Sequence, residues 1–180
     1  GLDLAAPAAS AAYADFGGDG RIERIGWVRD DVVVLAWDHD HDRAVHRIDE
    51  VSLARYEPGA ASDLEGLRAF DSNHDGWFDG ADARWQEFGV VDAAGRFRPL
   101  AETPVAGIAL QREGAVHEVA GNTVLGLAPV RLADGSSTVA GDVVLAAQDS
   151  GEREAADLAR RAQVFLQWTA SAPPVDTPPL

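Results

Sequence analysis

A chain of 180 residues that is 46% hydrophobic can bury a core of its own, which excludes global disorder. Its 30 Asp and Glu face 15 basic residues, every one of them Arg, for a formal net charge of -15; that excludes a phosphate-reading surface, so nucleic acid is not an expected partner. Cysteine is absent, which excludes a disulfide framework, a thiolate nucleophile and a Cys-zinc site, and no apolar run reaches the ~18 residues of a membrane span.

No charged-then-apolar leader opens the chain, which reads as a mature domain or an excised fragment. Residues 1–14 are Ala-rich and carry little pattern, and a turn-forming cluster, Asp15-Phe16-Gly17-Gly18-Asp19-Gly20, follows. Residues 25–28 read as a short strand. Residues 32–37 are a continuous apolar, β-branched run and predict a buried strand. That strand feeds the acidic stretch Asp38-His39-Asp40-His41-Asp42. Residues 62–70 predict a helix: Ser62 and Glu65 make a capping-box pattern, and Leu64, Leu67 and Phe70 recur on one face. A second helix is expected over residues 80–88, with Trp85 and Phe88 turned inward. Beyond residue 100 the pattern changes to strands: 105–110, then 116–119, then 123–132 and 138–147 paired around a turn at 133–137. Residues 151–168 predict a helix with Ala155, Leu158, Ala162, Phe165 and Leu166 as its apolar stripe. Residues 171–180 hold four prolines and read as a flexible tail.

The acidic stretches carry the chemistry. A hard cation such as calcium takes several oxygen ligands, and a curled loop supplies them from alternating positions, with Gly at position 6 for the sharp turn. Between the two predicted helices, Asp71, Asn73 and Asp75 stand at positions 1, 3 and 5, and Gly76 at position 6. Trp77 offers its carbonyl at position 7, Asp79 stands at position 9 and Asp82 closes the loop at position 12, where Glu is usual. Phe78 is the apolar anchor. This order matches an EF-hand-like unit, and an Asx-rich turn is the bland reading of the same residues. A second loop places Asp38, Asp40 and Asp42 at positions 1, 3 and 5, with Asp49 or Glu50 closing it and Arg43 where Gly is expected. A third, from Asp15 to Glu23, lacks a ligand at position 3 and reads more simply as a Gly-rich turn. His39, His41 and His46 are interleaved with the carboxylates of the second loop, which is also a transition-metal chemistry; neighbouring residues of an extended loop alternate in direction, so solvated histidines are the default. There is no G-x-S-x-G elbow and no Lys for a phosphate-binding loop.

The order of these pieces resembles the EF-hand-like region of FrpC-type RTX proteins, which contains a calcium-dependent self-processing module. Leu2-Asp3-Leu4 begins the match, and the stretch from Gly18-Asp19-Gly20 through Glu23 to Gly26-Trp27-Val28 follows that pattern closely. Asp38 through Val51, Leu67 through Asp82, and Gly107-Ile108 continue it, over about residues 1–147 by motif order. The departures are Ala5-Ala6-Pro7-Ala8 in place of a first acidic loop, Glu50-Val51-Ser52-Leu53 in place of an ELFG closure, and a shortened loop at Asp92. The resemblance implies calcium binding and export by a type I system. It also raises a calcium-triggered cleavage of an Asp-Pro bond, although the chain holds no Asp-Pro and no Lys acceptor.

Together these readings predict a single α+β domain over residues 1–170. An EF-hand-like helix-loop-helix half (1–100) is followed by a mostly antiparallel β half with a C-terminal helix (101–170). The expected function is that of a calcium-stabilised domain of a secreted, extracellular bacterial protein, partnered by calcium and by other domains of the same protein. Two alternatives stand beside it: a calcium-triggered self-cleaving module, and a protein- or peptide-binding module with degenerate metal loops.

Overall fold

The computed structural model describes residues 2–14, 23–29, 31–148 and 162–167. The early strands are β1 (Leu4–Ala5), β2 (Tyr13–Ala14), β3 (Glu23–Ile25), β4 (Trp27–Val28) and β5 (Val32–Trp37). After the acidic loops come β6 (Trp77–Asp79), β7 (Phe88–Val91), β8 (Phe97–Pro99) and β9 (Val105–Ala109). The series ends with β10 (His117–Val119), β11 (Asn122–Leu132), β12 (Ser137–Val144), β13 (Ala147–Gln148) and β14 (Ala162–Gln167). The strand predicted over residues 32–37 is β5, and its period-2 geometry explains why the run is apolar throughout. Val33 and Leu35 enter one core cluster while Val32, Val34 and Ala36 enter the other, so both faces of the strand are buried.

Among the described residues, nine strands form one antiparallel sheet in the order β6-β9-β11-β12-β14-β5-β7-β8, with β10 alongside β11. The hairpin β11–β12 is its centre, and its register shifts once, between Val124 and Gly126. A two-stranded sheet (β1, β4) and a three-stranded one (β13, β3, β2) carry the N-terminal segments. The acidic-loop half and the β-rich half therefore share one sheet: β6 pairs with β9, and β5 joins β12 through β14.

This architecture corrects the α+β expectation. The protein is mostly antiparallel β, and among the described residues its α-helix content is one short element, α1 (Asp63–Gly66). Its cap is the one predicted: the Ser62 side chain accepts from the Glu65 amide, and Glu65 Oε2 accepts from the Ala61 amide at 2.8 Å. The chain then tightens into the 3-10 turn Leu67–Phe70. The spacing of Leu64, Leu67 and Phe70 is three residues, the period of a 3-10 helix, and all three are buried. Gly66 is required here because any side chain at that position would overlap the Leu53 carbonyl.

No helix follows the loop at 71–82. Its second half is instead β6, paired with β9 through Phe78 opposite Ile108, and only the 3-10 turn Trp85–Glu87 comes after it. Trp85 and Phe88 are buried as expected, but Phe88 starts β7, opposite Trp37. The helix-loop-helix expectation fails because sheet pairing takes up these residues. The C-terminal helix fails in the same way. Residues 162–167 form β14, which pairs Phe165 with Gly141 on one side and with Val34 on the other. A short apolar run has no period that separates helix from strand, and the slot between β12 and β5 offers hydrogen bonds on both sides. The rest of that predicted helix, the tail 171–180 and residues 15–22 of the third loop lie outside the described residues.

One core cluster, on the loop-bearing face, joins Leu53, Leu64, Leu67, Phe70, Phe78, Trp85 and Phe88 to Leu100, Ile108 and Val130. The other joins Leu2, Leu4, Ile25 and Val28 to Val51, Val124, Val143 and Leu145.

Candidate metal centre

Both acidic loops leave from one aromatic cluster. Trp37, the last residue of β5, meets Phe70 edge to face with ring centroids 5.0 Å apart, and Phe70 precedes Asp71 as Trp37 precedes Asp38. Tyr56, Phe78 and Phe88 complete the cluster. Edge-to-face pairs of this kind add to burial, so the first residue of each loop is anchored on rigid ground.

In the loop at 38–50, Asp38 is buried, and its amide donates to the Glu87 carbonyl at 2.8 Å. Asp38, Asp40 and Asp42 each place a carboxylate oxygen within 4.8 Å of the others. Among the described residues this is the one set of three or more His, Cys, Asp or Glu groups that converges so. The curl is held by the Arg43 amide, 3.3 Å from both Asp38 oxygens, and by the Ala44 amide on Asp42. Arg43 occupies position 6 with φ +61°, the left-handed conformation for which Gly is the usual choice, and its guanidinium swings away to Glu102 at 2.7 Å. Glu50, 1% exposed, and Asp49, the expected closing residues, lie outside the converging set. Glu50 Oε2 accepts from the His46 and Arg47 amides at 2.8 and 2.7 Å, while its buried Oε1 has no partner among the described residues. Asp49 bonds Arg47 at 3.2 Å instead. Beside the loop a cleft of about 400 Å³, lined by Asp38, His41, Arg43, Phe88, Phe97 and Glu102 among others, keeps it open to solvent.

His39 and His46 of this loop have separate partners. His46 Nε2 lies 3.0 Å from Asp42, and His39 meets the Arg47 guanidinium. The donors that converge are all oxygens, which fits a hard divalent cation such as calcium and not a soft or borderline metal.

The loop at 71–82 shows the same spacing with its oxygens turned to other uses. Asp71 accepts from the Asp75 and Gly76 amides at 3.2 and 3.0 Å, and Gly76 takes φ +83°. Asn73 and Asp75 bond each other, and Asp75 also accepts from the Trp77 amide at 2.8 Å. Asp79 accepts from Ala81. Asp82 is buried with both oxygens taken: Oδ1 by the Ser72 amide at 2.7 Å, Oδ2 by the Asp79 amide at 2.9 Å. Trp77 pairs with Ala109 in the sheet, and its ring is covered by the Arg131 guanidinium at 3.3 Å.

A third acidic group escapes sequence reasoning. Asp63 in α1 and Asp142 in β12 are both buried, 0% and 1% exposed. Arg112 Nη1 lies 2.8 Å from Asp142, 3.1 Å from Glu65 and 3.0 Å from Ser62 Oγ. Burial pushes Asp63 well above the ordinary carboxyl range, and the Asp142 charge adds to that. Asp142 is also raised by burial, against the Ser62 and Arg112 contacts. Its sequence signal was an Asp in the interior of an otherwise apolar strand.

An acidic, mainly antiparallel β domain with two acidic loops, one of which gathers three carboxylates, is the class these features define. The chain belongs to the SPM domain family, whose sequence model matches residues 1–146. No curated protein matches it.

Proposed function

We propose that this protein is a calcium-binding, calcium-stabilised domain of a secreted bacterial protein of the RTX kind, and that the loop at 38–50 is its principal site. The observation that carries this is the convergence of Asp38, Asp40 and Asp42 within 4.8 Å. Three carboxylates that close repel one another, and a divalent cation removes the repulsion and supplies the missing charge. Glu50 would add its partnerless oxygen. Asp71, Asn73, Asp75, Asp79, Asp82 and the Trp77 carbonyl form a second, weaker site, because among the described residues their carboxylates do not converge as those of Asp38, Asp40 and Asp42 do. Calcium is scarce inside cells and plentiful outside, so ion binding would complete folding after export. Among the described residues no helix is long and apolar enough to cross a membrane.

Thermal melting with millimolar calcium against chelator tests the reading. The expected result is a clear rise in melting temperature with calcium that the double substitution Asp40→Asn, Asp42→Asn largely removes. Superimposable wild-type curves would sink it.

A further inference from the structure

Two carboxylates, Glu65 and Asp142, share the Arg112 guanidinium where α1 packs near β12, a third, Asp63, is buried in the same helix as Glu65, and their hydrogen bonds do not add up. Arg112 Nη1 serves Ser62, Glu65 and Asp142. Asp63 receives the Ala54 amide on Oδ1 at 2.7 Å, while among the described residues its Oδ2 has no partner; Asp142 Oδ1 has none there either, and both atoms are buried. A buried ionised oxygen without a donor is among the costliest groups a protein can hold. Among the described residues the Ala54 and Leu53 amides and the Arg55 charge favour ionised Asp63, and burial outweighs them. The 3-10 turn Ala54–Tyr56 brings Arg55, which is exposed, and Tyr56, whose hydroxyl bonds the Asp49 carbonyl. The turn Leu67–Phe70 brings Arg68, directed at the Leu110 carbonyl. β14 contains no ionisable residue.

We propose that this cluster is a proton-binding site: Asp63 is a neutral carboxylic acid in the folded protein, Asp142 is the ionised partner of Arg112, and the neutral Asp63 still accepts the Ala54 amide that ties α1 to residues 53–54. Burial, which raises Asp63 more than Asp142, has the same sense. The position gives the proton leverage. Residues 53 and 54 leave the loop at 38–50, α1 leads into the loop at 71–82, and the Asp63–Ala54 bond joins the two.

The sign follows from proton counting. Unfolded Asp63 titrates near the ordinary Asp value, about 3.9, and folded Asp63 well above it. Between those two values the folded state holds the extra proton, so this stability is complete below the unfolded pKa and is lost as pH rises through the folded pKa. Glu65, held low by the Ala61 amide and Arg112, works in the opposite sense near pH 4. A comparison with Asp63→Asn, which keeps the acceptor for Ala54 and places N–H where the acid O–H stands, isolates the Asp63 contribution.

The test is urea unfolding of wild type and D63N from pH 4 to 8 in chelator, with side-chain carboxyl carbon NMR of the wild type. The wild-type unfolding constant should rise relative to D63N, approaching about tenfold per pH unit inside the window, and the Asp63 carboxyl should show the protonated shift at pH 6. Asp142→Asn should move that titration to lower pH. An ionised Asp63 signal at pH 6 overturns the proposal, and so do parallel pH profiles for wild type and D63N. The NMR reading needs no variant, so a D63N that fails to fold leaves the proposal decidable.

Discussion

The loops at 38–50 and 71–82 carry nearly the same ligand spacing on neighbouring stems, yet they differ at the two positions that decide what a loop does. At position 12 of the second, Asp82 is buried with both oxygens occupied by loop amides. At the close of the first, Glu50 is equally buried but keeps one oxygen without a partner. At position 8, Phe78 lies fully buried within β6, whereas Val45 is only partly buried against the other core cluster. One loop is anchored by the sheet and stitched by its own carboxylates. The other is curled by the Arg43 and Ala44 amides on Asp38 and Asp42, with Arg43 left-handed, and brings three carboxylates together. Spacing nominates ligands, and hydrogen bonding decides whether they remain available.

The largest effect expected from this contrast is at position 8. Phe78→Ala should destabilise the protein by about 3–5 kcal/mol, against about 1 kcal/mol for Val45→Ala, both read from urea unfolding. Equal losses would mean that the sheet does not anchor the loop at 71–82. Next come the closing acids. Asp82→Asn loses an acceptor for a buried amide and should cost about 1–3 kcal/mol without calcium. Glu50→Gln keeps an acceptor for the His46 and Arg47 amides and should cost less, while weakening calcium binding more. Titration calorimetry beside metal-free unfolding checks this inversion, and a single ranking in both assays breaks the contrast. The smallest effect is at position 6. Arg43→Gly relieves a left-handed strain worth about 1 kcal/mol and gives up an exposed ion pair worth about 0–1 kcal/mol. A gain of about 0.5 kcal/mol with tighter calcium binding is expected; a net loss would show that the Arg43–Glu102 pair holds the loop.

Some of this molecule was legible from residues alone. The run at 32–37 makes β5, the hairpin of β11 and β12 lies where alternation and turn residues place it, and Ser62 caps the chain segment it was expected to cap. These features depend on neighbours in sequence, through backbone sterics, turn chemistry and local hydrogen bonds. Tertiary structure decided the rest. Residues 162–167 became a strand because β12 and β5 left a slot for one, and residues 77–79 joined β9 where a helix-flanked loop was expected. The partnership of Arg112 with Glu65 and Asp142 joins three distant parts of the chain. Long-range hydrogen bonds and burial outweigh the fraction of a kcal/mol per residue that separates helix from strand, and no local pattern records where those bonds will form.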